Sequence, residues 1–274
     1  MGSNNSTPAK GKHVLATKLA TAEKTGILNL ADQDLKASSP VWDKIQSQGL
    51  VERIKTLDIS GNTLKYLPAE ILSMLILKVL HASRCNIQRT YDMTSMGRLV
   101  TLSLDGNDLE ANMLAQLPMQ LQRLNLSSNH FLTIPNEGFA GLVNLRELNL
   151  SNNRLNSTVG IGILVALIDL NLDNNNISEV SEDLSSCVVL KHLSLKSNKL
   201  SGKAADGRQS IPSRIFTDTL LDEIVLSGNA MLSRAMVWAF DGVDVFVARR
   251  KQNRDRNLAG GAGAQDLNIF GDLL

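Results

Sequence analysis

The chain has 274 residues with 28 Lys+Arg against 27 Asp+Glu, a formal net charge of +1. That balance gives no electrostatic footing for nucleic acid, and two cysteines without close spacing exclude a disulfide scaffold. The longest apolar stretches, residues 71–80 and 160–167, are too short to span a bilayer, and no secretory hydrophobic region opens the chain, so the expected location is cytoplasmic.

Residues 1–12 are polar, carry Pro8 and Gly11, and are expected to be a disordered tail. Met1-Gly2-Ser3-Asn4-Asn5-Ser6 fits the N-myristoylation pattern. The chemistry needs Gly2 because only an unsubstituted α-carbon leaves the exposed amine unhindered, and Ser6 supplies the second anchor of the motif. One myristoyl chain holds a protein to a bilayer only marginally. Lys10, Lys12, Lys18 and Lys24 are therefore expected to help, giving reversible exchange between the cytoplasm and the cytoplasmic membrane face. Residues 13–53 read as an N-terminal cap with a degenerate first repeat. Residues 13–24 predict a helix with Val14, Leu15 and Leu19 on one side, and Trp42 is expected to plug the end of the core.

From residue 54 to 231 one line recurs, spelled at Leu145 as Leu-x-x-Leu-x-Leu-x-x-Asn-x-Leu. Eight copies start at Ile54, Leu77, Leu99, Leu121, Leu145, Leu167, Leu190 and Leu221, with gaps of 23, 22, 22, 24, 22, 23 and 31 residues. A weaker copy at Thr25 puts Gln33 in the Asn slot. This is the leucine-rich-repeat signature. It predicts an α/β solenoid: a horseshoe of short parallel concave strands, helical or extended convex segments, and terminal caps. The first, fourth and sixth positions point into the core, the last two by strand alternation. The ninth positions are Asn62, Asn107, Asn129, Asn153, Asn175, Asn198 and Asn229, a structural ladder in which carboxamides satisfy inward-turning backbone. Cys85 fills this slot in the second copy, so restoring asparagine there is expected to be neutral or stabilising. Cys85 and Cys187 read as buried thiols of a reducing compartment.

The last gap is eight residues longer than the one before it, and the excess falls in residues 201–210, a tolerated loop or a contact loop. Residues 232–252, with Met236, Trp238, Phe240, Val245 and Phe246, read as the C-terminal cap shielding the last rung. Residues 253–274 read as a flexible tail, ending in apolar residues that suit a docking peptide or an inert end.

The solvent-facing strand positions hold no catalytic constellation. His81 and His192 lie five rungs apart, no Cys or His cluster has metal-ligand spacing, and no phosphate loop is present. No cofactor, small-molecule substrate or enzymatic activity is therefore expected. Arg123, Arg146, Glu147, Asp169, Asp173 and His192 are the candidate partner-binding residues, forming a modest acidic patch bounded by cations. No aromatic side chain falls on these positions, so the expected protein interface is polar, or else lies on caps and loops.

Three non-repeat segments carry a finer likeness. They are residues 22–30, residues 211–218 with their continuation to Asn229, and residues 242–246 followed by basic residues. On these the chain resembles the family of leucine-rich repeat-containing protein 57 and its relatives, over roughly residues 13–252. The resemblance implies a small, intracellular, non-catalytic protein with an N-terminal lipid anchor, carried over to Gly2 alone. This chain departs from the family at Cys85, at 201–210 and in its apolar tail. The reading is a non-catalytic protein–protein interaction scaffold, reversibly membrane-tethered. The alternative is a soluble regulatory subunit that binds an enzyme such as a phosphatase or a small GTPase.

Overall fold

A computed structural model describes residues 8–259 of the chain. Nine three-residue strands form one parallel sheet in strict sequence order: β1 (Ile27–Asn29), β2 (Thr56–Asp58), β3 (Val79–His81), β4 (Thr101–Ser103), β5 (Arg123–Asn125), β6 (Glu147–Asn149), β7 (Asp169–Asn171), β8 (His192–Ser194) and β9 (Glu223–Val225). The register is that of the repeat, third position against third, as in Arg123↔Glu147 and Glu147↔Asp169. The degenerate first copy supplies β1, whose Leu28 pairs with Leu57.

The strands are short because the chain turns inward straight after the sixth position. The eighth residue of every copy is left-handed: Asp32, Gly61, Arg84, Gly106, Ser128, Asn152, Asn174, Ser197 and Gly228 have φ between 53° and 77°. Asn and Gly tolerate this region best, and they take five of the nine places. The turn leaves backbone groups pointing inward, and the ninth-position carboxamides meet them. Asn153 Nδ2 donates to the carbonyls of Leu126 and Leu150, both at 3.0 Å, and its Oδ1 accepts from the Phe131 N–H at 3.1 Å. Asn129, Asn175 and Asn198 repeat this arrangement.

The Cys85 rung differs in kind. Its tenth residue, Asn86, is also left-handed (φ 55°), as is Asp34 (φ 52°) in the Gln33 copy. That second reversal aims the Cys85 carbonyl at the Leu64 and Lys65 N–H groups, at 2.9 and 3.3 Å. The Cys85 thiol donates to the Ile59 carbonyl at 3.1 Å, replacing the amide's reach to the preceding rung. The rung is an alternative turn, in which the expected neutral or stabilising effect of asparagine meets a Leu64 N–H that is already taken.

One continuous core runs the length of the solenoid, with Leu57, Leu80, Leu102, Leu126, Leu150 and Leu172 among its fully buried members. Its convex wall is made of short helices, α3 (Ala69–Leu72) and α4 (Asn136–Phe139), and of 3-10 turns at Ala111–Met113, Ile161–Ile163 and Glu182–Ser186. At the N-terminal end α1 (Pro8–Thr25) lays Leu19 and Ala22 on the first rung. α2 (Val41–Ser47) buries Trp42, whose indole N–H donates to the Lys36 carbonyl at 2.8 Å.

At the other end stand α5 (Ser213–Thr217), α6 (Arg234–Trp238) and α7 (Val243–Ala259). Leu232, Val237, Phe240, Val243 and Phe246 shield the last rung, whereas Met236, Trp238 and Val245 are 41–45% exposed.

Two expected boundaries move. The first helix begins at Pro8, inside the stretch expected to be disordered to residue 12: proline is preorganised for a first helical position and Ala9, Lys10 and Lys12 are good helix formers. The last helix runs through residues 253–259, expected to be tail, because Arg249 and Asn253 tie it to the rung below. Gly2, with its lipidation motif, and the apolar end of the chain from residue 260 lie outside the described residues.

Candidate interaction surface

Each strand contributes its third and fifth side chains to the concave face, and the parallel register stacks them in two rows. The third-position row reads Thr101, Arg123, Glu147, Asp169, His192, Glu223 from β4 to β9, and it lines a trough of about 630 Å³. Arg123 Nε donates to Thr101 Oγ1 at 3.2 Å. His192 Nδ1 is hydrogen-bonded to Asp169 Oδ1. Glu147 and Asp169 are register partners on adjacent strands, so two carboxylates face the trough side by side, an arrangement that repels in isolation.

The fifth-position row is engaged inside the fold. The side-chain oxygens of Asp58, Asn125, Asn149 and Asn171 accept the backbone N–H two residues on, at 2.9–3.1 Å, which ends the strand and starts the inward turn. Hence the third-position row carries the charge of the trough.

Of the six candidate residues, Arg123, Glu147, Asp169 and His192 come together in the trough. Asp173 stands beyond the strand end, where its Oδ1 accepts from Ser194 Oγ at 2.5 Å and the Lys196 N–H at 2.8 Å. Arg146 precedes its strand and is exposed, outside the trough lining.

Some features of the surface escape a reading confined to the strands. The chain's two tyrosines, Tyr66 and Tyr91, meet edge-on at 6.1 Å in the loops past the turn, with the Arg89 guanidinium 5.4 Å above the Tyr91 ring. The signal is their placement two and four residues past the eleventh positions Leu64 and Ile87 in neighbouring copies. The 201–210 insertion is folded: Lys203 bridges Gln209, Ser201 bridges Met231, and Arg208 holds Asp206 at 2.6 Å and Glu182 at 3.8 Å. Burial pushes both thiols upward, Cys187 to about 12, so neither is a nucleophile at neutral pH. Among the described residues no group of three His, Cys, Asp or Glu side chains is placed to hold a metal ion, and no helix is long and apolar enough to cross a membrane.

Residues 119–160 match the family model described as leucine rich repeat. Among curated proteins, Toll-like receptor 6 of Bos taurus is 32% identical over 162 residues, covering 56% of this chain and 20% of the receptor. Podocan-like protein 1 of Mus musculus is 29% identical over 230 residues, covering 73% of this chain and 40% of that protein. The chain thus spans well under half the length of these relatives. Among solved structures, a leucine-rich-repeat protein of Leptospira interrogans superposes with a TM-score of 0.57 at 24% identity, covering 79% of this chain and 50% of the other, a likeness of fold alone.

Proposed function

From the premise that the chain folds as a leucine-rich-repeat solenoid, we propose that it is a non-catalytic scaffold for a protein partner, held reversibly at cytoplasmic membrane faces through N-myristoylation of Gly2. One observation carries the partner half: the third-position row presents Glu147 and Asp169 side by side in an open trough, with Arg123 and His192 at its flanks. A basic segment of a partner relieves the repulsion between the two carboxylates, and the polar row suits a transient contact. The sequence motif at residues 1–6 supports the anchor. The segments at 22–30, 211–218 and 242–246 support a place beside the family of leucine-rich repeat-containing protein 57.

The test is a comparative pull-down from cells with wild type, Glu147→Lys/Asp169→Lys and Gly2→Ala. Loss of the same partners in the charge-reversed protein, at an unchanged melting temperature, supports the trough. Recovery of an identical partner set by all three proteins overturns both halves of the reading. Partners lost only with Gly2→Ala belong to the membrane-held population.

A further inference from the structure

Ahead of each strand the chain passes through a slot two residues before the repeat's first leucine. The fold asks nothing apolar of this slot, since it faces solvent. Yet it holds Leu75, Met119, Val143, Val165 and Val188, each 48–55% exposed, and Leu220 extends the row one place later in the last copy. The slots are neighbours in space: Asn144 Nδ2 donates to the Met119 carbonyl at 2.9 Å, and the Leu220 N–H donates to the Val188 carbonyl at 3.0 Å. Gly97 takes the slot at the fourth rung, so Leu75 stands apart and, at a strand spacing of roughly 4.8 Å, the unbroken ridge runs about 19 Å from the fifth rung to the ninth.

Cations accompany the ridge. Three times the slot is followed three residues on by a basic side chain: Leu75 by Lys78, Val143 by Arg146 and Val188 by Lys191, all exposed. None of these three cations forms an ion pair among the described residues. At the last rung, Asp222 accepts from Asn253 of α7 at 3.2 Å, which brings the basic helix against the same edge. This also gives Arg146 a place, since it falls outside the concave trough.

The geometry points to this edge as a docking surface for an anionic lipid bilayer. A ridge one side chain wide falls well short of the ~800 Å² per partner of a stable protein interface. It suits a planar boundary instead: apolar side chains enter the acyl margin while the adjacent Lys and Arg meet lipid phosphates and carboxylates. The inference deepens the membrane half of the proposed function and supplies the second signal that one acyl chain requires. It does not itself need Gly2 to be acylated.

The full chain made in bacteria, which lack the acyl transferase, isolates the edge from the anchor. In co-sedimentation it should bind vesicles containing phosphatidylserine and bind pure phosphatidylcholine less. Val143→Asp/Val165→Asp/Val188→Asp should cut the bound fraction at least about tenfold. Arg146→Glu/Lys191→Glu should do the same and weaken the salt dependence, and it serves if the triple variant misfolds. Leu132→Asp/Val159→Asp, at two sites 59% exposed outside this ridge, should bind as wild type does. Absence of vesicle binding by the unacylated wild type overturns the inference, as does equal binding by the ridge variants. A wild-type dimer in sedimentation velocity that the ridge variant dissolves would assign the edge to a second copy instead. Acylation stands or falls separately, by the mass of the N-terminal peptide of native protein.

Discussion

Replacing Cys85 with asparagine restores the repeat's spelling and should nonetheless destabilise the solenoid. In the ordinary rungs the ninth-position Oδ1 accepts the eleventh-position N–H of the rung before, as Asn153 does from Phe131. The corresponding donor here is the Leu64 N–H, and the Cys85 backbone carbonyl already holds it at 2.9 Å because Asn86 is left-handed. A carboxamide at 85 keeps one useful contact, the reach of its Nδ2 to the Ile59 carbonyl that the thiol now makes at 3.1 Å. Its Oδ1 takes the Asn62 N–H, which already lies against the Cys85 sulfur, in place of the Leu64 donor. The change also adds two heavy atoms to a fully buried slot, and overpacking of this kind costs about 1–3 kcal/mol. The expected loss is therefore about 1–3 kcal/mol. It should be read as a lower urea midpoint by circular dichroism at an unchanged m-value. An unchanged or raised midpoint would refute the reasoning, because it would show that the turn at Asn86 follows residue 85 and resets once an amide is supplied.

Four other outcomes follow. Leu148, 2% exposed at the fourth position of the mid-solenoid copy, should cost about 2–5 kcal/mol on truncation to Ala, and a melting shift within error of zero would break the assigned register. Asn153→Ala strands the Phe131 N–H and two carbonyls and should cost about 1–3 kcal/mol in the same urea assay. Cys187, raised to about 12 by burial, holds its proton in the native state while the unfolded thiol releases it near 9. Its contribution to stability is thus complete below pH 9 and lost as pH rises toward 12, and the difference between wild type and Cys187→Ala across that window measures it. Mass spectrometry of protein from eukaryotic cells should find the acyl mass on Gly2 after removal of Met1; a free or acetylated N-terminus would leave the scaffold without its tether.

Positions that recur in register were legible in the sequence. Leu57, Leu80 and Leu102, the asparagines at the ninth place and even the weak β1 could be assigned because each copy constrains its neighbours. What escaped depends on backbone sign or on residues between signatures. The left-handed Asn86 is invisible in spelling, since asparagine serves equally in ordinary turns. Asp173 and Arg146 look like neighbours of Glu147 in a list of polar positions, yet one terminates a strand and the other precedes one, so neither enters the trough. The ridge through Val143 and Val188 falls ahead of the eleven-residue line and is seen only when successive copies are stacked.

The amide ladder also sets how the molecule can come apart. Each asparagine bonds its own rung and the one before it, so a break at one turn loosens its neighbour, and opening should travel along the stack as a zipper does. Where Cys85 stands, that linkage passes mainly through its backbone carbonyl, which holds the Leu64 and Lys65 N–H groups, with the sulfur as a weaker second bond. Under hydrogen exchange, protection should therefore fall off gradually toward the two caps, with no break at the Cys85 rung.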